Sequence, residues 1–312
     1  MIHQEISSRG LGFVRAWVFS LWAVYVFSND ATGYARIPDL DFEPPGLLKL
    51  LPNWFYDALL TTAGLNLLKW VVLAGVVACA LGVRPWRAIA IPTVLLLTLH
   101  QGVPRGLFGY VNHKELGALY ATYVLAVFPA TSFSLFAPRV ARRRSERDIA
   151  TGRMMMVLLM AALLIPYCFV GLYRLTHNDM SLWSSDTFAH FIARTSYGTN
   201  WFENTAISES LLDRPIVLDL LAISFPIGTV VEVLAPLCIV HKRFRQFWVL
   251  NMVGLHLLTW LAMDILFWEN MALYPVLLAD NDYLVTRFDR LRSLTRKRSD
   301  TDVAQSEGRV LT

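Results

Sequence analysis

Apolar residues gather along the chain in eight long runs, at about 10–28, 58–82, 88–103, 113–133, 154–175, 216–240, 247–267 and 271–285. Most are roughly 16–25 residues long, enough to cross about 30 Å of hydrocarbon at 1.5 Å per residue. The pattern predicts an all-α, polytopic membrane bundle with about eight transmembrane segments. The last run is short, contains Pro275 and leads into Asp280 and Asp282, which suggests a half-helix or a re-entrant piece. The first run does not read as a cleavable signal peptide, because Arg15 lies inside it and no small-residue cleavage site follows. Two polar stretches, 29–57 and 176–215, read as long outer loops. Within the second, WSSDTFAHFIART (183–195) is expected to form an amphipathic helix at headgroup level.

Composition sharpens this picture. Of 312 residues, 55% are hydrophobic and 17% charged, against roughly 25% charged in a soluble domain. Those figures exclude collagen-like, coiled-coil and disordered chains. The length suits one bundle, residues 1–290, followed by a basic tail, 291–312, expected to be disordered. Cys79, Cys168 and Cys238 stand singly in apolar runs, with no pair for thiol redox work. The net charge of +4 reflects orientation in a bilayer rather than nucleic-acid binding. With a cytoplasmic N-terminus, 20 of the 28 Lys and Arg residues fall on the inner side. An even number of spans then places both termini in the cytoplasm of a multi-pass cell-membrane protein.

Ionisable groups inside hydrocarbon cost a few kcal/mol each and mark candidate sites. Lys69 lies near the middle of the second run, with Asn66 on the same face. It is either a neutral amine acting as a base or half of an ion pair with a carboxylate such as Glu232. His256 is mid-helix in the seventh run, with Asp264 two turns later on nearly the same face. A lone membrane histidine is often only an interhelical hydrogen bonder; Lys69, Glu232, His256 and Asp264 together point to an enclosed polar cavity. Tyr167, Gly171 and Arg174 share one face of the fifth run. Gly171 permits close helix approach, and Arg174 either snorkels to headgroups or holds an anionic group. Asn112 and Glu115 read as a capping box at the start of the fourth run, leaving His113 without a structural role. His100, His113, His190 and His256 are scattered, so no metal site is expected.

Several of these motifs together resemble the HTTM family, the transmembrane domain shared with vitamin K-dependent gamma-glutamyl carboxylase. The run YCFVGLYRL (167–175), followed by Trp183, is similar to that family's Y-x-x-A-G-x-x-K-L…W stretch. Asn112-His113 resembles its Asn-His helix opening, and Glu232 with Pro236 its E-x-x-x-P segment. His256 through Tyr274 is similar to its closing H-x6-M-x-I-x2-F…NM…Y pattern, and LGVRPW (81–86) to an inner turn. The resemblance spans about 10–285. It implies chemistry on a reduced quinone of the vitamin K type. In the carboxylase a lysine of the first motif deprotonates the quinol, and reaction with oxygen makes the strong base that opens the way to CO2 addition. Here Arg174 occupies that lysine's place, and arginine stays protonated. The large lumenal glutamyl-binding domain is also not expected after the membrane part, so classical carboxylation is not implied.

The leading expectation is therefore an integral-membrane enzyme of oxidoreductase, carboxylase or peptide- or lipid-modifying type. Lys69, His113, His256 and Arg174 are its candidate catalytic residues. Asn112, Glu232, Asp264, Tyr274 and Tyr167 are its candidate cofactor-binding residues. Lys69 would replace the missing base, and Arg174 would bind anionic oxygens. The expected partners are the lipid bilayer and a lipophilic small molecule or a secreted peptide. The alternative is a non-enzymatic maturation, export or immunity factor for such a peptide. A transporter is disfavoured, because no inverted repeat or pair of broken helices is evident.

Overall fold

The structure, a computed structural model, describes residues 7–29, 31–36, 42–108, 115–128, 146–177, 184–196, 210–263, 267–278, 286 and 290. Among them it is helical without strands. The helices are α1 (Ser8–Ser28), α2 (Asn53–Leu59), α3 (Thr62–Leu81), α4 (Trp86–Phe108), α5 (Leu116–Val127) and α6 (Glu146–His177). They continue with α7 (Ser185–Ser196), α8 (Pro215–Val233), α9 (Leu237–Val240), α10 (Lys242–Met263) and α11 (Trp268–Leu278). Short 3-10 helices lie at Ala31–Arg36 and Gly46–Leu50.

Local chemistry sets the ends. The Ser7 side chain accepts from Gly10 N–H at 2.9 Å to open α1, and Thr61 does the same for α3 through Gly64 N–H at 3.0 Å. Gly82, at φ 74°, closes α3 in the left-handed conformation that glycine adopts without a Cβ clash. Pro215 opens α8, where its missing N–H is not needed. The expected single segment 216–240 is in fact two helices. α8 stops at Val233 and α9 starts at Leu237, because Pro236 supplies no N–H and disfavours helix at the residue before it.

Among the described residues, four helices are long and apolar enough to cross a membrane: Ser8–Arg36 (α1 with the turn after it), α3, α6 and α8. Their outer surfaces are greasy. On α3, Leu65, Leu68, Val72, Val76 and Cys79 are buried, whereas Leu67, Trp70, Val71 and Leu81 are exposed. Helices apolar on both faces belong in lipid rather than water. Each expected hydrophobic run carries a helix, but the described part of the fourth, α5, has 12 residues, fewer than a span needs.

α1 packs on α3, α5 and α11, and α6 lies between α5 and α8. α7 is the expected amphipathic helix; it lies across α8 and α10, burying Phe188 and Ile192 against Leu218, Leu221 and Ala262. Tryptophan indoles tie the bundle together. Trp22 donates to the Ala118 carbonyl and Trp86 to that of Leu125, both at 3.2 Å, and Trp248 donates to Val231 at 2.9 Å. Arg15 and Arg245, expected as inner-surface charges, are buried. Arg15 stacks 5.4 Å over Trp86, and Arg245 reaches the Cys238 carbonyl at 3.4 Å.

Candidate functional site

The site is set by one close helix crossing. A Cβ on Gly171 of α6 would lie 2.9 Å from Val233 Cγ2, 3.0 Å from the Thr229 carbonyl oxygen and 3.1 Å from Val233 N, all on α8. Only glycine lets the two backbones come this near. One turn further on, Arg174 reaches across to Glu232 and donates to its Oε2 at 2.5 Å. The Glu232 side chain is 4% exposed and that of Arg174 is 24% exposed. The guanidinium also stands 5.4 Å from the centre of the Phe225 ring.

A second polar cluster adjoins this pair. Tyr167 on α6, His256 on α10 and Tyr274 on α11 form a hydrogen-bonded triangle. His256 Nε2 is 2.9 Å from each phenol oxygen, and the two hydroxyls bond to each other. All three residues are buried. Trp248 packs edge-on against both tyrosine rings, with centroids at 5.3 and 5.5 Å. Two phenolic protons and one imidazole lone pair fill two of the three edges at a time, one phenol donating to the other and the second to His256 Nε2.

His256, Arg174 and Glu232 meet at a cavity of about 80 Å3. Its remaining walls include Phe188 of α7, Ser224 and Phe225 of α8, Thr259 and Ala262 of α10, and Phe267. Leu258, a further wall residue, is 37% exposed, so the cavity lies just beneath the outer surface of α10. α7 forms one side through Phe188, which meets Phe225 edge-on at 5.8 Å. Both hydroxyls spend their protons within their own helices, Ser224 on the Leu221 carbonyl at 2.8 Å and Thr259 on that of Leu255 at 2.5 Å.

Five of the expected residues thus come together: Tyr167, Arg174, Glu232, His256 and Tyr274. Asn112, His113 and Asp264 lie outside the described residues. Lys69 does not join them. It is half-buried on α3, which packs on α1 and α4, its charge acts on buried His100 of α4, and it is absent from the cavity wall. The carboxylate of Glu232 is taken by Arg174 instead, because the Gly171 crossing leaves α6 nearest to it. Glu115 holds its carboxylate between the Tyr25 hydroxyl and the Arg105 guanidinium, at 3.1 Å from each. Among the described residues no group of three His, Cys, Asp or Glu side chains is placed to hold a metal.

Sequence reading missed Phe188, Ser224, Phe225, Trp248 and Thr259 as parts of the site. Thr259 follows His256 by three positions and was open to a helical-face argument. The others carry no signal before the helices are packed. No family model, no curated protein and no solved structure matches the chain.

Proposed function

We propose that this chain is an integral-membrane enzyme of the HTTM type, with eight spans and both termini cytoplasmic. It acts on the polar head of a lipophilic substrate that enters the cavity from the bilayer. The observation that carries this reading is the meeting of Arg174, Glu232 and His256, from three helices, on one small cavity just beneath the outer surface of α10. The Arg174–Glu232 pair orients the head group. His256, coupled to Tyr167 and Tyr274, takes up or gives a proton. Lys69, which does not line the cavity, has no part in this step.

The cavity, partly open at its surface, is too small in this conformation to enclose the ring system of a vitamin K-type quinone. An enclosed volume of about 150 Å3 holds a single benzene ring, and the present one is about 80 Å3. Two fused rings would require Phe188 and α7 to move aside, so no step is derived through a quinone.

The test is to purify the protein in native-lipid discs and identify co-purified lipophiles by mass spectrometry. A compound held by the wild type and by Lys69→Met but lost from the cavity-filling Ser224→Phe supports the assignment. Incubation in D2O should then place deuterium on that compound with wild type and not with His256→Gln. Equal recovery of every lipophile from wild type and Ser224→Phe would refute the site.

A further inference from the structure

Resting on the reading of this cavity as a lipophile site, we infer that its ligand carries an uncharged head rich in hydrogen-bond donors beside one carbonyl acceptor, as in a primary amide, and that fatty carboxylates are excluded. The charge balance is the first ground. Among the described wall residues, Arg174 and Glu232 are the formally charged ones, and they neutralise each other at 2.5 Å. His256 is neutral when its Nε2 accepts a hydrogen bond from a phenol, which keeps its proton. An anion entering here would leave water without gaining an uncompensated positive charge, and burying such an ion is unfavourable.

The second ground is the polarity of the individual atoms. Ser224 and Thr259 donate to Leu221 and Leu255, so they offer the cavity lone pairs only. Glu232 likewise offers only acceptors, with Oε2 bonded to Arg174. The wall thus presents both sets, acceptors on Ser224, Thr259 and Glu232 and donors on Arg174, one of whose five N–H groups is used on Glu232. A head with two N–H donors and one C=O matches this inventory. A carboxylate would accept from Arg174 but would leave the Ser224, Thr259 and Glu232 oxygens with no donor facing them. The apolar remainder of the wall, Phe188, Phe225, Leu255, Leu258 and Phe267, suits the first carbons of an acyl chain.

The experiment measures binding of oleamide, oleate and oleylamine to the full chain in lipid discs at alkaline pH, read by intrinsic tryptophan fluorescence. Wild type should prefer oleamide over oleate by about tenfold or more. Glu232→Gln leaves Arg174 unneutralised and should reverse that order, towards oleate. Arg174→Gln leaves Glu232 unneutralised and should favour oleylamine; it supplies the same test should the first variant fail to fold. Oleate binding to wild type as tightly as oleamide overturns the inference and leaves the lipophile site standing. Binding of none of the three amphiphiles overturns the lipophile reading itself.

Discussion

Replacing Gly171 by alanine tests the crossing on which the cavity depends. The added methyl would stand 3.0 Å from the Thr229 carbonyl oxygen and 3.1 Å from Val233 N. Both are helix backbone atoms, so a rotamer change cannot relieve the overlap, and α6 must retreat from α8 by a few tenths of an ångström. Overpacking of this kind costs about 1–3 kcal/mol. Alanine returns up to about 1 kcal/mol through its better helix propensity, so the expected net loss is about 0–2 kcal/mol. Gly254 of α10 is the matched control, since a Cβ there would meet nothing within 4 Å. Gly254→Ala should gain the propensity term alone. The two variants should therefore differ by about 1–3 kcal/mol in opposite directions from wild type, read as thermal midpoints in the same detergent. A Gly171→Ala protein as stable as Gly254→Ala would show that the helices are not in close contact here, and the placement of Arg174 against Glu232 would lose its basis.

Other perturbations probe the rest of the bundle. Gly82→Ala would put a side chain at φ 74° and onto the buried Arg15 guanidinium, and it should lower stability by about 1–3 kcal/mol in a denaturation series. Glu115→Gln removes the charge facing Arg105, whose side chain is 9% exposed. It should cost about 3 kcal/mol, whereas the double change Arg105→Met/Glu115→Leu should recover most of that loss in a double-mutant cycle. Trp248→Phe should cost about 1–3 kcal/mol. The indole satisfies the Val231 carbonyl, which α8 leaves over when the Ala235 N–H turns to Glu232; melting of the variant within error of wild type would contradict this.

What the sequence determined by itself was local. Hydrophobic runs and their lengths specify helices and their solvent, because backbone hydrogen bonds in hydrocarbon must close within each segment. Residue spacing likewise put Tyr167, Gly171 and Arg174 on one face of α6, and the cost of burying charge marked Glu232 and His256 as residues in need of partners. The choice of partner was decided by the tertiary structure. Lys69 and Arg174 are equally plausible mates for Glu232 on composition alone; the Gly171 crossing brings α8 to α6, and Lys69 of α3 does not line the cavity. The triangle of Tyr167, His256 and Tyr274 spans 107 positions of sequence, and α7 closes on the cavity through Phe188 by packing against helices that come later in the chain. Hydrophobicity acts on each segment independently of the others, whereas a site built across helices depends on which surfaces interlock, and that information exists only once the bundle has assembled.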